Sequence, residues 1–573
     1  MVNYLKIHYL KIIIILIINI IIYGKSVNYE YVIDDKLFFV NNKDVDNGFS
    51  SLKKIFTSSY LSGVGEKSNI YRPLPLLSFI VTKEIFGNTP KTQHFTNILI
   101  WFLSLVLLFY FLRLFLKERA NDWEIFFIVL FYSLLPLNVE PITNIKGRDD
   151  LLSLLFGLIG IICYIKSQEF NSKKIKLFVL SLFFFFLSLL SKETGIIFII
   201  VSGSYTLISS KLNKKIIELS LLLLPILIFL ILRNLYTESD AVINYWDNTV
   251  LYFSGIKQLY FRLYLTSYYQ YKIIFPFFLS WDYSFGYFDI KNYIIEAFLS
   301  IIVFIGIIWF AIKKFIKKDL IFISLMWFYS GLLITSNLIF VIGSTFAERF
   351  YLIPAIGYCL TLFLLLKAYK NKLFFYLIIF PLLFMFFLSS NSRVNDWSSE
   401  TKLLTSDNSK PRKSWRTELS SFNINENILT DNITNYNIIH EGIEKVEGWK
   451  KKYHKIPIVY LKSGAFYESI KEYDKSIKDY SMALELDSNQ VNAYMRLGGI
   501  YHANRVNNTL AIRYYLWGFK RTKDPMYYAN IAIVYFDEKN FELFNKYYSE
   551  AIKLDPSNEG YKNHYLQLKE LIK

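Results

Sequence analysis

Cysteine is almost absent. Cys163 and Cys359 are the only two in 573 residues, and both lie inside apolar runs. That argues against a disulfide framework and against a thiolate metal site. Histidine is scarce as well: the six present show no HExxH or related ligand spacing, so no metal site is expected from them. A small-residue cleavage site is missing after the N-terminal apolar stretch. Tyr23-Gly24-Lys25-Ser26 is a poor match to one, and the Ile-rich run behind Lys6 and Lys11 reads as an uncleaved span.

What the chain has in plenty is apolar surface. Hydrophobic residues make up 53% of it and the mean hydropathy is +0.30, too high for one soluble domain of this length. The 18% aromatic content belongs to a bias toward Ile, Phe, Tyr, Lys and Asn across the whole sequence, and is read as coding bias rather than chemistry. Apolar stretches of roughly 17 to 23 residues, enough to cross a bilayer as helices, recur at 9–24, 95–116, 125–141, 151–165, 175–190, 194–210, 216–235, 292–312, 320–342, 349–366 and 373–389. The segment 250–280 is apolar but carries Lys257, Gln258, Arg262, Gln270 and Lys272. Charges at mid-membrane are costly, so it is read as an interfacial helix.

Basic residues sort the connecting loops. Clusters lie at Arg113/Lys117/Arg119, Lys166/Lys173/Lys174/Lys176, Lys211/Lys214/Lys215, Lys313/Lys314/Lys317/Lys318 and Lys367/Lys370/Lys372. With eleven spans all fall on the side of the N-terminus, which the positive-inside rule makes cytoplasmic. The net charge of +17 is thus a topology signal, and no nucleic-acid partner is expected. An odd number of spans puts the C-terminal region on the opposite, non-cytoplasmic face.

That region has its own period. Tyr467, Tyr501 and Tyr535 keep a 34-residue step, as do Tyr460, Tyr494, Tyr528 and Tyr480, Tyr514, Tyr548. This step marks tetratricopeptide repeats, antiparallel helix pairs that stack into a solenoid. The reading divides the chain into a membrane domain over 1–389, a polar connector with a degenerate helical pair over 390–455, and three repeats plus a capping helix over 456–573. The sequons Asn432-Ile433-Thr434 and Asn507-Asn508-Thr509 are expected by chance in an Asn-rich chain.

The outward loops carry the unusual residues. The first holds Asp34-Asp35, Asn41-Asn42-Lys43-Asp44-Val45, a surface helix expected over 48–60, and Tyr71-Arg72-Pro73-Leu74. Later ones hold Glu140, Lys146-Gly147-Arg148-Asp149-Asp150, Lys192-Glu193, Trp281-Asp282 and Glu348-Arg349. Singly, each reads as a solvated turn or a local ion pair. Together they bring carboxylates and cations to one membrane surface, which suits a substrate with an anionic head and a buried lipid tail. Arg and Lys would hold phosphate, and a carboxylate could deprotonate a hydroxyl.

In order and spacing, Ile33-Asp34-Asp35, Tyr71-Arg72-Pro73-Leu74, Leu135-Pro136-Leu137-Asn138-Val139-Glu140, Gly147-Arg148-Asp149-Asp150-Leu151-Leu152, Lys192-Glu193, Leu279-Ser280-Trp281-Asp282-Tyr283-Ser284 and Glu348-Arg349-Phe350-Tyr351-Leu352 resemble the transmembrane and tetratricopeptide-repeat protein O-mannosyltransferases. More broadly they resemble the GT-C glycosyltransferase superfamily. Asn138 stands where the family has histidine, and Asp149 where it has alanine. The motifs with a short repeat tail are also similar to bacterial members. The resemblance implies an all-α GT-C-type membrane domain of about eleven spans followed by a repeat α-solenoid. It implies inverting transfer of a sugar, mannose foremost, from a polyprenyl- or dolichyl-phosphate donor to protein Ser or Thr on the non-cytoplasmic face. Asp35 is implied as general base, with Asp34 as the close second. Arg72, Arg148, Lys192 and Arg349 are candidates for the lipid phosphate. Glu140 and Asp282 would orient the sugar or the loops, and Asp149, Glu193 and Glu348 complete the set.

No cofactor is expected beyond the lipid-linked sugar, although a carboxylate pair leaves a divalent ion open. Partners expected are the acceptor protein, in the repeat groove, and membrane lipid. The membrane would be a bacterial inner membrane or that of the endoplasmic reticulum. Two rival readings stand beside this one: a non-enzymatic repeat-bearing membrane scaffold, and a transporter or flippase for lipid-linked glycans.

Overall fold

The computed structural model describes residues 2–65, 68–169, 174–209, 212–237, 243–290, 293–368, 372–420, 436–504, 507–556 and 558–572. Among them every regular element is helical and no strand occurs. Lys173, Lys211, Lys370 and the sequon Asn432-Ile433-Thr434 lie outside the described residues. The chain forms two compact units, Met1–Glu418 and Leu419–Lys573, so residues 390–418, read from sequence as connector, pack with the first.

Seven helices of the first unit are long and apolar enough to cross a bilayer: Tyr9–Asn28, Pro90–Arg119, Ile145–Glu169, Lys174–Ser191, Ile216–Tyr236, Ile294–Ile316 and Tyr376–Asp396. A bent pair, Asp122–Ser133 with Pro136–Thr143, brings the number to eight at most. The remaining three expected spans are the shorter apolar helices Glu193–Ser209, Leu320–Thr335 and Pro354–Ala368. As straight rods these reach only about 22–26 Å, short of the ~30 Å hydrocarbon core. Each expected span therefore contains a helix, but seven or eight, not eleven, have the length to cross alone. Gly255–Ile274 is a helix that is not among the candidate spans. Ile294–Ile316 leaves Ile295, Phe298, Ile302 and Ile305 exposed, as expected where the solvent is lipid. The chain is a multi-pass membrane protein.

Local sequence explains the ends and the bend. Asn121 and Glu124 form a reciprocal capping box that starts Asp122–Ser133. Pro136 cannot continue that helix and disfavours helical geometry in the residue before it. The chain therefore turns by 58°, and the turn carries Glu140 into the charged cluster. Gly147 closes the next loop, where a Cβ would lie 2.3 Å from the carbonyl oxygen of Pro141. The surface helix expected over 48–60 is shorter: one 3-10 turn, Gly48–Ser51, and a five-residue helix, Leu52–Phe56.

The second unit consists of helix pairs. Pro457–Ser469, Val491–Ala503 and Pro525–Asp537 begin 34 residues apart and are each followed by a partner, Tyr473–Leu486, Asn508–Thr522 and Phe541–Leu554. Glu559–Glu570 follows. Ser476, Tyr480 and Ala483 are buried, as are Tyr467, Tyr494 and Tyr548, whereas Tyr501, Tyr514 and Tyr535 are half-buried. Asn507 caps its helix by accepting from the Leu510 amide at 3.1 Å.

Candidate active site

The first loop is folded around Asp35. Its Oδ2 accepts from the Val32 amide at 3.1 Å and its Oδ1 from the Lys146 amide at 2.9 Å. One carboxylate thus ties the first loop to the second. It is 1% exposed, and burial pushes it up to about 7 against the pull of those amides. Ile33, two residues earlier, holds φ at 47°, a left-handed conformation that β-branched residues rarely adopt. The adjacent Asp34 has the opposite character. Its side chain is 40% exposed and lies 3.8 Å from the Lys146 ammonium, within electrostatic reach of Arg349 and Arg416.

A second group is locked together beside it. Arg72 donates from Nη1 to Asp149 at 2.6 Å, and from Nη2 and Nε to Glu193 at 2.5 and 3.0 Å. Lys192 donates to Asp150 at 2.5 Å and to Asp149 at 3.5 Å. Asp149, Asp150 and Lys192 are buried, and the two aspartates sit in the first turn of Arg148–Glu169, where the helix dipole favours negative charge. Two cations singled out as phosphate ligands are therefore already bonded to carboxylates.

Arg148 departs furthest from its expected role. It is completely buried and donates to Asn97 at 2.7 Å, Thr82 at 3.2 Å and the carbonyls of Gln93 at 2.6 Å and Ser78 at 3.4 Å. Its guanidinium lies 4.7 Å from the Phe79 ring centre. These contacts tie Pro73–Phe86 and Pro90–Leu116 to the start of Arg148–Glu169.

Arg349 stays at the cluster. Glu140 holds it twice: Oε1 accepts from Nη1 at 2.5 Å and Oε2 from the backbone amide at 3.0 Å. Its neighbour Glu348 is buried and takes hydrogen bonds from the Tyr283 hydroxyl at 2.8 Å and from Arg393 at 3.4 Å. Burial pushes Glu348 up to about 7, with Arg393 pulling the other way. Asp282 accepts from Ser284 and, at 3.5 Å, from Arg416.

Several members of this network escaped sequence reasoning. Arg393 bonds Asp407 at 3.0 Å and Asp396 at 3.2 Å. Asp407 also accepts from Lys410, from Ser280 at 2.9 Å and from the Trp281 amide at 2.5 Å. Arg416 binds Asp247. Lys146 opens the motif Lys146-Gly147-Arg148-Asp149-Asp150, but only its place beside Asp34 marks it out. Among the described residues, no group of three or more His, Cys, Asp or Glu could hold a metal ion.

The open side of the cluster thus presents one half-exposed carboxylate, Asp34, among the cations Lys146, Arg349 and Arg416. Such a site can accept a proton beside a bound anion.

No protein-family model matches the chain. Among curated proteins it is similar to Protein O-mannosyl-transferase F38B6.6 of Caenorhabditis elegans, 24% identical over 409 residues, which are 69% of this chain and 57% of that protein. It is also similar to Protein O-mannosyl-transferase TMTC1 of Homo sapiens, 33% identical over 205 residues, covering 34% of this chain and 23% of that one. Protein O-mannosyl-transferase TMTC3 of Mus musculus is 24% identical over 375 residues, 59% of this chain and 40% of its own length. The chain is TMTC-like, and it spans little more than half the length of the worm relative.

Proposed function

We propose that this protein is a membrane-embedded glycosyltransferase that moves mannose from a polyprenyl-phosphate carrier to Ser or Thr of proteins. The observation that carries this reading is the half-exposed Asp34 carboxylate among Lys146, Arg349 and Arg416, at the ends of apolar helices. The names of the relatives agree with it.

In the proposed step, the acceptor hydroxyl oxygen attacks the sugar C1 while the bond from C1 to the phosphate oxygen breaks. The hydroxyl proton passes to Asp34, and the lipid phosphate leaves with its electron pair and added negative charge. Lys146 and Arg349 stabilise that charge, which grows only as the bond breaks. Asp34 is preferred to Asp35 as base because both oxygens of Asp35 are engaged by backbone amides. Asp35 then acts as the strut that positions its neighbour. Glu140 aims Arg349, and Arg148 braces the helices behind. With eleven crossings and the positive-inside rule, this cluster and the helix pairs of the second unit face away from the cytoplasm. The pairs are read as tetratricopeptide repeats that hold the acceptor.

The test is transfer of labelled mannose from polyprenyl-phosphate mannose to acceptor peptides by the purified full chain. Asp34→Asn should abolish transfer while leaving membrane insertion and thermal unfolding unchanged. Full activity in that variant would remove Asp34 from the mechanism, and no transfer by the wild-type chain to any Ser- or Thr-bearing acceptor would remove the reading itself.

A further inference from the structure

A cavity of about 400 Å³ opens between Gly255–Ile274, the first turn of Ile294–Ile316 and the segment Lys410–Arg412. Of its lining residues only Lys410 also belongs to the network described above, through Asp407. Three cations line it, Lys272, Lys410 and Arg412, against one carboxylate, Glu296. Lys272 is 3% exposed. Its ammonium donates to the carbonyls of Phe277 at 2.5 Å and Phe278 at 3.4 Å, and among the described residues no carboxylate forms an ion pair with it. Lys410 shares Asp407 with Arg393, so that carboxylate is already spread over two cations. Arg412 is exposed and bonds the Tyr264 hydroxyl.

Like charges gathered around a cavity repel one another, and a buried ammonium with no carboxylate in contact is costly. Burial pushes Lys272 down to about 8; Glu348 pulls the other way, while Arg412, Lys410 and Arg393 push down with burial. An anion in the cavity relieves both penalties. The mouth supplies a second indication. Phe278 and Tyr271 line it and are exposed, exposed Phe275 lies 5.5 Å from the Tyr271 ring, and exposed Ile295 precedes the lining Glu296, where the candidate span Ile294–Ile316 starts. The polar cavity therefore sits where an apolar, lipid-facing surface begins.

We infer that this cavity holds the phosphodiester head group of an anionic membrane phospholipid. Lys272, Lys410 and Arg412 take the phosphate oxygens, and the acyl chains lie along the exposed face of Ile294–Ile316. The ammonium of Lys272 is the fixed partner inside, while Arg412 closes from the rim. The apolar mouth favours a lipid over a free phosphate ion, because only a lipid covers Phe278 and Ile295 while it fills the charged interior. The site does not depend on the transfer reaction proposed above.

The test is binding of a fluorescent short-chain phosphatidylglycerol to the full chain in non-ionic detergent, followed by fluorescence polarisation. Arg412→Ala removes one charge-assisted contact from an exposed position and should weaken binding about tenfold. Lys272→Met should weaken it further. If Lys272→Met fails to fold, Arg412→Ala still decides, because Arg412 is exposed at the rim. Unlabelled inorganic phosphate in large excess should leave the lipid bound, whereas unlabelled phosphatidylglycerol should displace it. Wild-type affinity in Arg412→Ala overturns the site, and displacement by inorganic phosphate overturns the lipid in favour of a soluble anion.

Discussion

Arg72 is gripped by two carboxylates from different loops, Asp149 at 2.6 Å and Glu193 at 2.5 Å. Asp149 is completely buried and its other cation, Lys192, is 3.5 Å away. A guanidinium held in this way serves as a strut, and its fork geometry is what allows one side chain to reach both acids. Arg72→Lys keeps the charge and loses the fork. Breaking a buried pair costs about 3–5 kcal/mol, so the variant should unfold at a clearly lower temperature in detergent. The double variant Arg72→Met, Asp149→Asn, which removes both charges, should recover part of that loss. Normal thermal stability in Arg72→Lys, with only a raised KM for the lipid donor, would instead make Arg72 a phosphate ligand.

Asp35 and Glu348 predict a pH dependence of stability. Both are pushed up to about 7 by burial, whereas unfolded carboxyls ionise at roughly pH 4. A folded state that raises a carboxyl pKa prefers the protonated form. The cost of ionisation is therefore absent below about pH 4, grows as pH rises toward 7, and stays constant above. Asp35→Asn has no such slope, and its amide nitrogen cannot accept from the second backbone N–H. The variant should be less stable than wild type at pH 4, with the gap narrowing toward pH 7. Thermal unfolding in detergent across that range measures it, and parallel curves for the two proteins would contradict the assignment.

The helix pairs of the second unit offer a prediction independent of the membrane. At Gly498 a Cβ would lie 2.3 Å from the Tyr515 ring, closer than any real contact, and Tyr515 is itself buried. Gly498→Ala must push that ring off its place. Overpacking of this kind costs about 1–3 kcal/mol. Limited proteolysis of the full chain should cut within Leu419–Lys573 sooner than in wild type and leave the first unit protected. Unchanged cleavage would mean that the pair absorbs the methyl group by a shift.

Much of this architecture was legible, and the illegible part has a common cause. The apolar runs and the 34-residue tyrosine step are signals carried along the chain itself, and both correspond to helices in the structure. Pro136 lies inside 125–141, read as one span, and in the structure it divides that segment into two helices 58° apart. By contrast, nothing in the sequence distinguishes Arg148 from Arg349. Both lie in charged motifs beside spans, yet one is buried among helices and the other is held at the cluster by Glu140. Asp34 and Asp35 are neighbours, and only the register between the loop at Val32 and the loop at Lys146 decides which becomes buried. Such roles follow from tertiary placement, which a window of sequence does not contain.

Arg393 shows the same point most sharply, and it yields the last prediction. It lies just past the apolar run, in an Asn- and Ser-rich stretch that reads as connector. In the structure it is buried between Glu348 at 3.4 Å and Asp407 at 3.0 Å, and its ring neighbour is Trp397, 5.8 Å away. Removing it leaves two buried carboxylates short of charge, Glu348 with no ion pair and Asp407 with only Lys410 in contact. Arg393→Met should therefore lower thermal stability severely, on the order of the 3–5 kcal/mol of a broken buried pair. Adding Glu348→Gln to that variant removes one stranded charge while keeping an acceptor for the Tyr283 hydroxyl. Stability should return in part, and the return should grow as pH rises from about 5 to 8, because a stranded Glu348 carboxyl costs most where it would otherwise ionise. A double variant no more stable than Arg393→Met alone would show that Arg393 acts through packing on Trp397 and not through its charge.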